Sequence, residues 1–262
     1  MVPLASLIRI VARLRGPRGC PWDRKQTHQC IKQDLVEECY EVIDAIEEGD
    51  ASALREELGD LLLQIVFHSQ LACEKQKFNF DDVAATIVDK LIRRHPHVFG
   101  HKKLRTADQV LAQWHDLKRG ERQERRSVTD GVPKHLPALM KADAVQKKVA
   151  RVGFDWPRRD GVVQKIQEEL AELKLALRAG RQAEIDDELG DLLFAVINLA
   201  RWQKRSPEDL LNRAIQKFIG RFRRLESEVA RRGSCIEDCS LAELDAIWEK
   251  HKHHARSKIR KP

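Results

Sequence analysis

This sequence has few aromatic side chains and no long apolar runs. Aromatics make up 5% of its 262 residues and include a single tyrosine, so a sheet of stacking rings for nucleic-acid bases is not expected. No apolar stretch approaches the roughly 20 residues that a membrane-spanning helix needs, and the N-terminus, Met1 to Arg15, is too polar for a secretory signal. We therefore expect a soluble cytoplasmic protein that does not enter a membrane.

Cysteine is sparse as well. Six cysteines are scattered along the chain without the compact spacing of a disulfide scaffold, and reduced thiols fit a cytoplasmic setting. Cys235 and Cys239 precede three histidines, but the spacing matches no standard zinc finger and helix-forming residues such as Trp248 lie between. Zinc is not expected.

Two motifs that indicate other chemistries are missing. No Gly-x4-Gly-Lys-[Ser/Thr] loop occurs, which argues against a P-loop nucleotidase. No Glu-x-x-His pair occurs either, which argues against the carboxylate-bridged di-iron bundles.

The balance of charge favours an anionic partner. A formal net charge of +7 arises from 48 basic and 41 acidic residues, and such a surplus suits nucleotide phosphates or nucleic acid. Much of it lies in two runs, 118–126 and 250–261, which favour a solvated linker and tail. Nucleic acid is therefore not the expected partner.

The sequence does contain a helical periodicity of apolar residues, and the pattern occurs in two similar copies. Alternation of apolar and polar residues is never sustained over a strand length, so the predicted fold class is all-α. The segment 37–41 (EECYE) parallels 168–172 (EELAE), and 57–62 (ELGDLL) parallels 188–193 (ELGDLL). Residue 168 matches 37 and residue 191 matches 60, at the same offset of 131. Two tandem helical-bundle repeats are predicted.

The repeat also predicts the domain boundaries. The first domain is expected over 1–101 and the second over 135–262. Residues 102–134 are charged and contain two glycines and a proline, so they are predicted to be a polar linker with one helix around 110–119. A helix over 135–151 is expected to lead into the second copy.

The acids of each copy fall on the flank of an apolar helical stripe. On a helical wheel, Glu38 and Glu41 lie beside one stripe, and Glu57 and Asp60 take the same angles beside the next. If the two helices pack antiparallel, four carboxylates converge. The second copy repeats this pattern with four acids, namely Glu169, Glu172, Glu188 and Asp191.

Converging carboxylates indicate a divalent cation. Like charges raise one another's pKa and disfavour ionisation, and a bound ion removes that penalty. All-oxygen ligands favour Mg²⁺, with Mn²⁺ as a possible substitute. One such motif alone would favour an ordinary solvated helix face, but two copies in register favour a metal site. Gly59 and Gly190, inside the two ExxD segments, predict close approach of a helix or a ligand.

The paired motif EExxE and ExxD resembles that of the all-α nucleoside triphosphate pyrophosphohydrolases, and the chain resembles their MazG family from about Leu7 to His251. The resemblance is carried by four further motifs in order: 19–23 (GCPWD), 93–99 (RRHPHVF), 136–140 (LPALM) and 152–156 (VGFDW). It implies Mg²⁺-dependent hydrolysis of ribo- and deoxyribonucleoside triphosphates, ATP included, at the α–β bond, in a homodimer.

The resemblance also implies residue roles. The metal ligands map to Glu169, Glu172, Glu188 and Asp191, and by repeat to Glu38, Glu41, Glu57 and Asp60. Phosphate contacts map to Lys217 and Arg221, which are i, i+4 on one predicted helix face, and a base-side aromatic maps to Trp248. Glu168 and Glu169 are the candidates to orient the attacking water or accept its proton, and Glu168 is also a candidate substrate-binding residue.

The second copy is expected to carry the main activity, because Lys217, Arg221 and Trp248 lie there. Where the first copy has Gln64 and Phe67, the second has Ala195 and Asn198, and these are expected to give the nucleotide room and a hydrogen-bonding group. Two alternatives stay open. One is a narrower enzyme for a single deoxynucleotide or modified base, and the other is a tandem helical module that binds a nucleotide or protein without chemistry.

Overall fold

The computed structural model describes backbone for residues 3–100, 104, 106, 109–110, 113 and 127–259, with side chains as far as residue 250. Every regular element in these ranges is helical, and no strand occurs among them. The prediction of an all-α fold is confirmed. The chain divides into two compact units, Met1–Gln123 and Glu124–Pro262. No described helix is long and apolar enough to cross a membrane.

The first unit is built around a helical hairpin. Its helices are α1 (Pro3–Arg15), α2 (Pro21–Lys25), α3 (Asp34–Glu48), α4 (Ala51–Glu74), α5 (Phe80–Arg94) and α6 (Pro96–Phe99). Helices α3 and α4 form the hairpin, and α1 packs against α4. The core lies between α1 and the second half of α4 and is formed by Val11, Ile31, Val66, Phe67 and Leu71.

Local chemistry makes the turn of this hairpin short. Gly49 ends α3 in the left-handed conformation, with φ of +73°, which a glycine adopts without strain. Asp50 then caps α4, because its carboxylate accepts hydrogen bonds from the backbone N–H groups of Ser52 at 2.8 Å and Ala53 at 3.2 Å. Two residues therefore suffice to reverse the chain.

The second unit repeats this hairpin and adds a helical pair. Its helices are α7 (Ala138–Ala150), α8 (Arg159–Ala179), α9 (Gln182–Trp202), α10 (Pro207–Arg231) and α11 (Leu241–Ile259), with a short 3₁₀ turn (Ile236–Asp238) before the last. Helices α8 and α9 correspond to α3 and α4, and Gly180 ends α8 with φ of +67°. Helix α7 packs against α9 and α10, while α10 packs against α11 through Leu225, Val229 and Ile247.

The predicted linker, 102–134, falls mostly outside the described residues, and so does the helix expected around 110–119 except at positions 110 and 113. The domain boundaries therefore stay a prediction. The helix expected over 135–151 is present as α7 and begins at Ala138. It starts after Pro137, which has the extended ψ of 146° typical of a residue that precedes a helix.

Candidate metal centre

The helical hairpin of the first unit brings three glutamates together. Glu38 and Glu41 lie one turn apart on α3, and Glu57 faces them from α4. One carboxylate oxygen from each lies within 4.8 Å of the others. The i, i+3 spacing places the first two on one face, and the two-residue turn places the third opposite. The convergence predicted for these three acids is therefore present.

The carboxylates of this group disfavour one another's charge. Burial raises the pKa of Glu38, and the charges of Asp60 and Glu41 raise it further, while a hydrogen bond from Gln64 opposes them. Burial and the charges of Glu41 and Asp60 raise the pKa of Glu57. Asp60 is outside the group of three but close enough to repel its members. A divalent cation would relieve this repulsion.

The second hairpin repeats the arrangement. Glu169 and Glu172 on α8 and Glu188 on α9 have carboxylate oxygens within 4.8 Å of one another. Glu169 is buried, with 5% of its surface exposed. Burial raises the pKa of Glu188, followed by the charges of Glu172, Glu169 and Asp191. As in the first copy, the aspartate of ExxD lies outside the close group of three.

The donors of both groups fit a hard divalent ion. Each group supplies only carboxylate oxygens, and no histidine or cysteine joins either one among the described residues. Mg²⁺ characteristically uses a few carboxylates and completes its octahedron with waters and phosphate oxygens. Two glutamates from one helix and one from the next leave room for such additional ligands. The chemistry of the donor set therefore agrees with Mg²⁺ or Mn²⁺.

A lysine that was not among the predicted site residues lies beside the second group. The ammonium of Lys165 lies 2.6 Å from a carboxylate oxygen of Glu168 and 2.8 Å from one of Glu169. These hydrogen bonds raise the pKa of Lys165. Glu168 is thus held by Lys165 and is not a member of the close group of three. The sequence could have indicated these ion pairs, because Lys165 lies three residues before Glu168 and four before Glu169, spacings that bring side chains together on a helix.

Two of the three residues expected to contact the nucleotide lie side by side, one on α10 and one on α11. The guanidinium carbon of Arg221 lies 6.0 Å from the centre of the Trp248 ring, and Lys217 is exposed one turn earlier on α10. Phe218, which was not among the predicted site residues, follows Lys217 on α10 and packs on Trp248 with ring centres 5.0 Å apart. The Nε of Arg221 is buried without a hydrogen-bond partner among the described residues.

Asn198 lies in a part-buried hydrogen-bond network. It is buried, as is Ala195, and its side-chain oxygen accepts a hydrogen bond from Arg201 at 2.8 Å. Arg201 in turn pairs with Asp155, in the loop before α8, at 2.6 Å. Trp202 also donates to Asp155, at 3.1 Å. Asn198 is therefore part of a structural network, and the hydrogen bond expected between its side chain and a nucleotide stays a prediction.

The two glycines of the ExxD segments lie on open surface. A Cβ added at Gly59 or Gly190 would meet no atom within 4 Å. Close helix packing within a unit therefore does not explain either glycine, and approach of a ligand remains the prediction.

The comparisons with known proteins match both copies of the hairpin. The model of the MazG nucleotide pyrophosphohydrolase domain matches residues 26–99 and 159–225, one stretch in each copy of the hairpin. The nucleoside triphosphate pyrophosphohydrolase/pyrophosphatase MazG of Thermotoga maritima is 44% identical over 248 residues, which cover 94% of each chain.

Two further relatives carry a similar name. The nucleoside triphosphate pyrophosphohydrolase of Escherichia coli K12 is 45% identical over 257 residues, or 96% of this chain and 98% of that protein. The Mycobacterium tuberculosis protein of the same name is 34% identical over 251 residues, or 94% of this chain and 66% of that protein. The chain has tandem hairpins and repeated acid groups, and it matches the family model and these relatives over most of its length. It therefore belongs to the MazG nucleotide pyrophosphohydrolase family.

Proposed function

We propose that this chain hydrolyses ribo- and deoxyribonucleoside triphosphates at the α–β bond, with Mg²⁺, to a nucleoside monophosphate and pyrophosphate. The general class, a nucleoside triphosphate pyrophosphohydrolase, follows from the family and from the names of the relatives. The observation that carries the finer proposal is the group formed by Glu169, Glu172 and Glu188. It is an all-carboxylate site of the kind that binds Mg²⁺ together with phosphate oxygens.

The acid group supplies the metal-binding part of the site. Glu169, Glu172 and Glu188 would hold the ion, with Asp191 beside them as a further ligand. A divalent ion bound there withdraws charge from the phosphoryl oxygens and lowers the pKa of an attacking water. Mn²⁺ has the same preference for oxygen ligands and is expected to substitute.

The carboxylates also provide a place for the proton of the attacking water. The water oxygen bonds to one phosphorus of the α–β bridge, and the bridging oxygen leaves with the other phosphate. Glu169, a buried carboxylate, or the neighbouring Glu168 orients the water and accepts its proton. No covalent intermediate with the protein is needed.

We assign the main activity to the second copy. Its unit contains Lys217 and Arg221, which carry positive charge for the triphosphate, and Trp248 for the base. Arg221 and Trp248 already lie side by side. The open surface over Gly190, between Glu188 and Asp191, leaves space for a substrate next to the acids.

The direct test is product analysis with purified protein. The chain is incubated with Mg²⁺ and each common ribo- or deoxyribonucleoside triphosphate in turn, and monophosphate and pyrophosphate are quantified by anion-exchange chromatography. Release of both products from most nucleotides supports the proposal. Turnover of one base alone would favour a narrower enzyme, and no turnover of any nucleotide would leave only a binding module.

Self-association is the second part of the proposal. Large apolar side chains on the hairpins remain more than half exposed, including Val36, Ile46, Leu177 and Leu193, and apolar surface of this kind marks contact sites. We expect a homodimer. Light scattering coupled to size-exclusion chromatography should give about twice the chain mass of 30.2 kDa, and the mass of one chain would refute the dimer.

A cytoplasmic location is part of the same proposal. All six cysteines are free thiols, and four of them are exposed, which suits a reducing compartment. Nucleotides are the expected partners there.

A further inference from the structure

Lys165 places an ammonium group against the second acid group. Its Nζ lies 2.6 Å from Glu168 and 2.8 Å from Glu169, so it forms ion pairs with both carboxylates. Glu169 is the most buried member of the close group of three and has little water around its charge. The lysine side chain itself is 35% exposed. It can therefore move toward solvent when another cation arrives.

The first copy has the opposite charge at the equivalent sequence position. Lys165 lies four residues before Glu169, and Asp34 lies four residues before the equivalent Glu38. An acidic residue thus stands in the first copy where the second has a basic one. After burial, the charges that raise the pKa of Glu38 come from carboxylates, with Asp60 first. The two groups are formed by equivalent glutamates and differ in the charge of the residue four positions before the first of them.

We propose that Lys165 is a positioning residue that acts as a built-in counter-cation, so that without nucleotide the second acid group binds a divalent ion more weakly than the first. The inference rests on the proposed function, because it treats both acid groups as metal sites. An ion that reaches Glu169 meets an ammonium already 2.8 Å from that carboxylate, and the two cations repel. The charges that act on Glu38 and Glu57 in the first group come from carboxylates, so this group has a greater need for a cation.

A triphosphate changes this balance at the second group. Its negative charges offset both the ammonium of Lys165 and the divalent ion, so the three can share one site. The ion therefore enters the second copy together with the nucleotide, whereas the first copy takes up its ion alone. Until then Lys165 keeps Glu169 paired and oriented.

The test measures metal binding without nucleotide. In a background that disables the first group, Glu38→Gln with Glu57→Gln, Mn²⁺ is titrated into the full chain and free Mn²⁺ is followed by electron paramagnetic resonance. Lys165→Met should tighten Mn²⁺ binding about tenfold, because one repelling charge is gone. Lys165→Arg, which keeps the charge, should bind Mn²⁺ like the background protein. Lys174→Met, a matched change at an exposed lysine of the same helix, should have no effect.

A reciprocal variant tests the same idea in the other copy. In a background that disables the second group, Glu169→Gln with Glu188→Gln, the change Asp34→Lys should weaken Mn²⁺ binding about tenfold. Circular dichroism establishes that each variant is folded. If Lys165→Met does not fold, the result for Asp34→Lys tests the proposal, and the converse also holds. The expected effects should shrink as salt is raised, because the charges are partly exposed.

Two results would overturn the inference. One is unchanged or weaker Mn²⁺ binding in Lys165→Met, and the other is equal tightening by Lys165→Arg, which would show that the charge is not responsible. Failure of the proposed function looks different. In that case the unaltered chain releases no pyrophosphate from any triphosphate, whatever the binding of Mn²⁺ to Lys165→Met.

Discussion

The ion pair between Asp155 and Arg201 offers a quantitative test of how the second hairpin is held. Two nitrogen–oxygen distances of 2.6 and 2.9 Å join the pair, and Trp202 adds a hydrogen bond to Asp155 at 3.1 Å. The side chains of Arg201 and Asp155 are only 12% and 23% exposed. The substitution Asp155→Asn removes the negative charge and keeps the shape, so it isolates the electrostatic contribution.

The expected size of the effect follows from this burial. Removal of one partner from a fully buried ion pair costs about 3–5 kcal/mol, whereas exposed pairs contribute about 0–1 kcal/mol. The pair lies nearer the buried limit, so Asp155→Asn should lower the free energy of unfolding by about 2–3 kcal/mol. In a unit of this size, that loss corresponds to a decrease in Tm of roughly 6–12 °C.

The same contact predicts a pH dependence. Burial alone raises the pKa of Asp155, but hydrogen bonds from Arg201 and Trp202 outweigh it and hold this pKa below the ordinary value of 3.8. The folded state therefore binds the proton more weakly than the unfolded state. The stabilisation is complete above the unfolded pKa and is lost as pH falls through the folded one. The difference between wild type and Asp155→Asn should be constant near neutrality and shrink below about pH 4.

Scanning calorimetry of the full chain is the assay. Asp160→Asn is the control, because it removes the charge of an exposed pair with Arg158, in which the side chains are 82% and 67% exposed. That control should change stability by less than about 1 kcal/mol. A loss for Asp155→Asn no larger than the control's, or a difference that is unchanged at about pH 3, would refute the reasoning.

Three further predictions concern activity. Glu172→Ala with Asp191→Ala should abolish most pyrophosphate release, whereas Glu41→Ala with Asp60→Ala should leave much of it, and the reverse result in a product assay would refute the assignment to the second copy. Chelation with EDTA should stop turnover without loss of helical circular dichroism, and Mg²⁺ or Mn²⁺ should restore it; turnover that persists in EDTA would contradict a metal-dependent reaction. Trp248→Ala should raise KM for every triphosphate, because a stacking surface serves all bases, and an unchanged KM in steady-state kinetics would count against the base-side role.

The helical architecture and the acid groups were within reach of sequence reasoning because they depend on short-range geometry. Residues three apart share a helix face, so the side-by-side placement of Glu38 and Glu41 needs only the helix itself. The turn at Gly49 and Asp50 is encoded by its own chemistry. Once the chain reverses over two residues, Glu57 must return beside them.

Other parts of the site were out of reach because they depend on contacts between distant residues. The hydrogen bond between Asn198 and Arg201 belongs to a network in which Asp155, 46 residues before Arg201, orients the guanidinium. No local pattern specifies that pairing. The position of Phe218 against Trp248 likewise depends on how α11 returns to α10.

The sequence by itself determined the helical class, the duplication, and the eight acids that flank the apolar stripes, since periodicity and repetition are properties of the chain. Only the tertiary structure decided which acids come within 4.8 Å of one another. Asp60 and Asp191 share the wheel position of their partners but lie outside the close groups, because the distance depends on how the helices pack. The same is true of Lys165: its spacing permitted an ion pair, and the folded hairpin placed that pair on a buried carboxylate of the metal group.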